Sequence, residues 1–199
     1  MPTFIPSLAA RRIALIAAAF GFVFCLALSY PASAEEPAQP VDCPALYEEH
    51  LKTDLDLPYK EFDQTMDKGF RVLGGAGCFK EAADLIEAYI VKNDGKEGSL
   101  RWHVAQLRAM AGENEAAISS ARRSLGDGEN LDENPFRWND YVLATIAFLE
   151  GDLEKLKAHR DKVAEGKDAH YGNEMNLKLL DRMVENFGKS YKDALSQKQ

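Results

Sequence analysis

The 199-residue sequence contains no C-x-x-C, no H-E-x-x-H and no G-x-S-x-G, and it has only three cysteines and four histidines. The first absence leaves no close thiol pair for redox exchange, the second no helical zinc-protease site, the third no serine elbow between strand and helix. His50, His103, His159 and His170 show no metal-ligand spacing. Basic charge is scarce as well: 24 Lys and Arg stand against 32 Asp and Glu, a net charge of −8. Nucleic acids and anionic membrane surfaces call for a positive field, so this balance argues against both as partners.

Long apolar runs are also missing, with one exception near the start. Residues 13–28 are almost wholly apolar, follow Arg11 and Arg12, and precede Ala32-Ser33-Ala34. A basic start, an apolar middle and a small-x-small site are the parts of a secretory signal peptide, expected over 1–34 and cut after Ala34. A retained anchor is the other reading, since the run approaches the roughly 17 residues that a span requires. Pro31 and the Ala-Ser-Ala site favour cleavage, placing the mature protein in the periplasm or the secreted fraction. Losing Arg11 and Arg12 leaves it more acidic still, with no membrane contact expected.

Cys25 would leave with the signal peptide, so two cysteines remain, Cys43 and Cys78. An even count in an oxidising compartment points to a disulfide. It would close a loop of about 35 residues and constrain the unfolded chain by roughly 4 kcal/mol. A metal or redox pair is the alternative, without C-x-x-C spacing or a histidine nearby in sequence.

Residues 35–43 form a Pro/Ala/Glu-rich leader, and 44–199 read as one all-α domain. Pro44 suits the first position of a helix running to about Lys52, which Leu55-Asp56-Leu57-Pro58 breaks. Phe62-Asp63-Gln64-Thr65 is expected to turn into a helix over 66–73. Gly74-Gly75-Ala76-Gly77 lacks the preceding strand and spaced third glycine of a phosphate loop, and reads as a helix stop. Phe79, Ala82, Ala83, Ile86 and Ile90 then form one helical stripe, ended by Asn93-Asp94-Gly95.

The centre, 100–163, reads as two helix–turn–helix units, opening on Arg101-Trp102-His103 and Arg137-Trp138-Asn139. In the first, Leu100, Val104, Leu107 and Ala111 form one stripe and Trp102, Ala105 and Ala109 another. In the second, Leu143, Ile146 and Phe148 join the main stripe, making that helix apolar nearly all round and placing it mid-core. Leu156 and Val163 belong to a thinner stripe on its partner. A last helix is expected over 173–186, with a short terminal one over 191–195.

The turns carry a resemblance. Gly77-Cys78-Phe79-Lys80-Glu81-Ala82-Ala83, Gly112-Glu113-Asn114-Glu115-Ala116-Ala117-Ile118 and Gly151-Asp152-Leu153-Glu154-Lys155-Leu156 share a Gly-acid-or-small turn followed by a small-residue helix start. A fourth turn falls at Gly188-Lys189-Ser190, and the glycines recur at close to the roughly 34-residue period of tetratricopeptide repeats. Over about 66–195 the chain resembles that family, although Trp102 is displaced by one and Leu156 stands where alanine is expected. The resemblance implies a right-handed array of three to four antiparallel hairpins, a TPR-like α-solenoid, that binds protein or peptide partners without a cofactor.

In such arrays the first helices of successive hairpins line a concave groove. Arg101, Trp102, His103, Arg137, Trp138 and Asp140 would then stand side by side there, extended by Asn173 and Asn176. Tryptophan offers a large rigid contact and arginine a carboxylate fork, a combination suited to an extended peptide. Equally, the tryptophans pack consecutive hairpins together, and the asparagines cap helices. Two other functions remain as alternatives: a small hydrolase using His103 with Asp140, and a structural subunit of an envelope complex. Gly188-Lys189-Ser190 echoes a Walker A ending, but Met183 stands where its first glycine belongs.

Overall fold

The computed structural model describes residues 40–95 and 98–196, so the readings on the signal peptide and most of the leader lie outside the described residues. Within them the chain forms ten helices and no strand: α1 (Cys43–Thr53), α2 (Tyr59–Gln64), α3 (Phe70–Gly75), α4 (Phe79–Asn93), α5 (Gly98–Met110), α6 (Asn114–Arg123), α7 (Trp138–Glu150), α8 (Leu153–Glu165), α9 (Tyr171–Glu185) and α10 (Tyr191–Leu195). The all-α expectation holds. No helix among the described residues is long and apolar enough to cross a membrane.

Capping chemistry explains most boundaries. Asp42 accepts from the Ala45 amide at the start of α1, with Pro44 inside the first turn. Asp152 and Ser190 cap α8 and α10 in the same way. Gly77, Gly112, Gly151 and Gly188 all take positive φ, the left-handed bend that lets a helix stop and reverse within a few residues.

The region before α3 departs from expectation. Phe62 to Gln64 belong to α2, and the helix expected from Met66 begins only at Phe70. Gly69 is the reason. Its φ of 58° and ψ of −153° are not helical, and a Cβ there would lie 2.2 Å from the Phe62 carbonyl oxygen. The Gly69 amide donates to Asp54 Oδ2 at 2.7 Å, and that buried carboxylate also accepts from the Thr53 hydroxyl. The tie sets where α3 begins.

From α2 onward each helix packs on the next in chain order, and α1 lies across α3 and α4. The bridge between Cys43 and Cys78 is formed, with Cα atoms 5.4 Å apart, and it joins α1 to the residue that opens α4. Two cores meet at α5. Leu100 and Val104 face a cluster with Phe62, Leu73 and Ile86, whereas Trp102, Ala105 and Ala109 face a second built on α7. The two stripes read from the sequence are therefore the two sides of one shared helix. Seven residues of α7 are buried, as its all-round apolar pattern implied. The end of the chain breaks the neighbour-to-neighbour order: α10 packs on α9 and also on α5. Tyr191 and Ala194 enter the second core, where Tyr191 lies edge-on to Phe148.

Candidate functional site

The two tryptophans do come together. Their rings are 5.3 Å apart in an edge-to-face arrangement, and Trp102 meets Tyr141 at 5.2 Å. Trp102 is only 5% exposed, and Trp138 donates its indole N–H to the Ser124 carbonyl at 2.8 Å, closing the end of α6. The arginines do not join them. Arg101 is half-buried and lies seven positions, about two helical turns, before Arg108 on α5. Arg137 sits 3.4 Å from Glu165 and 3.6 Å from Asp140. Asn173 is fully buried: its Oδ1 accepts from the Arg137 amide, and its Nδ2 donates to the carbonyls of Pro135 and Gly166. Asn176 is half-buried, with an Nδ2 that has no hydrogen-bond partner. Neither Trp102 nor Asn173 offers a surface to a ligand. Their apolar area and hydrogen bonds are spent on joining hairpins.

The His103–Asp140 pairing is corrected. Asp140 accepts from His159 Nδ1 at 2.8 Å, with Lys162 at 3.5 Å, and ties α7 to α8. His103 instead faces Asp63, Nε2 to Oδ1 at 3.2 Å, while its Nδ1 lies 3.2 Å from Gln106 Oε1. The sequence offered only His103 with Asp140, and the observed partners lay out of its reach because those contacts span 40 and 19 residues. Burial pushes the His103 pKa down, and the Asp63 charge opposes that shift. Both ring nitrogens face groups of the protein, which orients the imidazole.

His103 does border an opening. Between α3 and α5 lies a hollow of about 260 Å³. Phe70, Phe79, Leu107 and Met110 supply its apolar surfaces, and Met66 stands beside it with 74% of its area exposed. Arg71, His103 and Gln106 are its polar groups, and Gly74 and Gly75 complete the wall. On α5 the lining positions 103, 106, 107 and 110 follow the helical repeat, with Leu107 also packing on the first core and Met110 on the second. Among the described residues no acidic side chain lines it.

Arg71 is fixed from behind. Its Nε donates to the Asp63 carbonyl, and its guanidinium lies 4.9 Å from the Phe70 ring centroid. Asp63 itself is 4% exposed. Its Oδ2 accepts from the Tyr59 hydroxyl, and its Oδ1 faces His103 and Arg71 without a hydrogen bond. Gln106 extends this chain of groups to Tyr191, whose buried phenol is pushed up to about 12.

A larger depression of about 610 Å³ lies between α9 and α10. Its walls are Arg182, Glu185, Lys189, Asp193 and other mostly polar residues, with charges of both signs and no apolar floor. Size alone does not make it the better seat, since binding pockets combine an apolar lining with few polar groups.

Of the residues expected at the site, only His103 lines the α3–α5 hollow. Arg71 and Gln106 escaped sequence reading because neither belongs to a motif, and Gly74-Gly75 read only as a stop. Their one signal was a pair of glycines next to an aromatic at each end, Phe70 and Phe79. Compared with protein-family models, curated proteins and solved structures, the chain gives no match.

Proposed function

We propose that this chain is an exported protein- or peptide-binding adaptor of the bacterial periplasm, built as a right-handed TPR-like array of helix hairpins. It acts without a cofactor and seats part of a protein partner between α3 and α5. The observation that carries this reading is the hollow itself: an open, apolar-floored recess with an arginine at its side and no acid in its lining. At about 260 Å³ it falls below the roughly 300–1,000 Å³ of pockets that enclose a drug-sized molecule. That size suits one large side chain of a bigger partner. Left-handed turn glycines at each hairpin and helices packed in chain order support the array reading. The disulfide is compatible with an oxidising compartment.

Filling the recess tests the proposal. A side chain at Gly74 would grow toward Leu107 Cδ2, 3.6 Å from the new Cβ, and so into the recess. Gly74→Leu is expected to remain folded and to lose the proteins captured by wild type from periplasmic extract. A Lys178→Ala control, on the exposed side of α9, should retain them. Capture of the same set by all three proteins would refute the recess as the binding site.

A further inference from the structure

The size and charge of the α3–α5 hollow carry the argument one step further, resting on the binding reading above. Its α5 side runs from His103 to Met110, two helical turns or roughly 10 Å. At roughly 3.3 Å per residue, an extended peptide crosses that length in three residues. Phe70 is buried with the Arg71 guanidinium over its ring, Cζ 4.9 Å from the centroid. Lys192 Nζ lies 5.4 Å from the Phe79 centroid, so cations flank an apolar floor that Leu107 and Met110 complete. Side chains two apart on an extended strand share a face and are separated by roughly 7 Å. One of them reaches the floor while the other meets the guanidinium.

Arg71 has donors to spare. Its Nε serves the Asp63 carbonyl and Nη2 lies 3.8 Å from Asp63 Oδ1, but its Nη groups make no hydrogen bond among the described residues. A guanidinium so placed presents a fork to a carboxylate. In a chain with 32 acidic side chains, a lining with none is a local reversal of charge.

The glycines fit the same occupant. Gly74 and Gly75 lie within α3 with ordinary negative φ. A Cβ at Gly74 would make a normal contact at 3.6 Å, and one at Gly75 would meet nothing within 4 Å. The fold therefore tolerates alanine at both, and helices favour alanine over glycine. What the missing Cβ atoms leave is a bare wall against which a peptide main chain can lie.

We infer that the hollow binds an extended peptide segment bearing a large apolar side chain with an acidic side chain two residues away. The probes are five N-acetylated peptides of defined sequence, four of them also amidated. The first is acetyl-Glu-Ala-Phe-Ala-Glu-amide, with acid on both sides so that either chain direction is served. Two more replace glutamate by glutamine or phenylalanine by alanine. A fourth replaces glutamate by glutamine and leaves its C-terminus free, and a fifth combines the glutamine and alanine changes. Binding is read by amide NMR shifts at Gly74 and Gly75.

The acidic peptide should bind about tenfold tighter than its glutamine twin, the gain of one charge-assisted fork. Arg71→Gln should erase that ratio, and Arg71→Lys should restore part of it. Gly74→Ala should raise the melting temperature of the free protein and weaken the acidic peptide severalfold. Equal affinity of the acidic and glutamine peptides would overturn the inference while leaving the apolar seat intact. Tighter binding of the free C-terminus than of internal acid would overturn it as well, as would undiminished binding of the alanine peptide. If no peptide shifts those amides, the seat itself fails, and the inference with it.

Discussion

Removing the Cys43–Cys78 bridge, by Cys43→Ala with Cys78→Ala or by reduction, should lower the unfolding free energy by about 4 kcal/mol, as the entropy of a loop this long implies. For a domain of this size that is a fall of roughly 10 °C in melting temperature. The loss should be uneven. No side chain of α1 is fully buried, and only the half-buried Leu46, Tyr47 and Leu51 pack on the first core, so the bridge and the Asp54 ties carry much of what holds it on α3 and α4. Hydrogen exchange is the informative readout: amides of α1 should lose protection first, and those of α7 should keep theirs until global unfolding. A melting temperature unchanged by reductant would show that the bridge contributes nothing to holding α1.

Arg108→Met should cost about 2–4 kcal/mol at neutral pH, less than the 3–5 of a fully buried broken pair because the carboxylates keep some solvent. The Arg108 side chain is 10% exposed and meets Asp84 at 2.5 Å, Glu87 at 2.7 Å and Glu113 at 2.8 Å. It joins α4, α5 and the turn into α6. Burial works against its charge, but hydrogen bonds to Asp84 and Glu113 outweigh that and raise the pKa. For Asp84 burial acts upward, and bonds from Lys80 and Arg108 bring the pKa below the ordinary carboxylate value. A carboxylate held low stabilises the fold above its unfolded pKa of roughly 3.9, and that stability is lost as pH falls through the folded value. Methionine removes the Arg108 part of this contribution and leaves three acids facing one another. The gap between wild type and variant should therefore be widest near pH 7 and close below about pH 4 in urea titrations. A gap that does not change with pH would mean that Arg108 acts by packing alone.

Periodicity revealed the helices, because apolar spacing is a local property. The double stripe of α5 was legible, although that its two sides face two cores is seen only in the structure, and the all-round apolar α7 showed what lies at the middle. Local spacing does not reveal partners. His103 found Asp63 and Asp140 found His159 because α2 and α8 were brought alongside, which depends on how hairpins lean together. The late start of α3 was hidden for a related reason: it turns on Gly69 pressed against the Phe62 carbonyl and bonded to Asp54, two contacts outside any periodic pattern. Trp102 and Trp138 stood out by residue type, and their rings were spent on joining hairpins. The hollow was invisible because glycine and methionine carry no motif, although both suit a seat that must admit a foreign side chain.

A photo-crosslinking side chain introduced at Met66 and, separately, at Tyr171 puts the location of binding to the most direct test. Both positions are open, at 74% and 72% exposure, but only Met66 borders the α3–α5 hollow. Irradiation in periplasmic extract should yield a discrete protein adduct from position 66, suppressed by Gly74→Leu, and none from position 171. An adduct from 171 alone, or one from 66 that survives the filling of the recess, would contradict binding between α3 and α5.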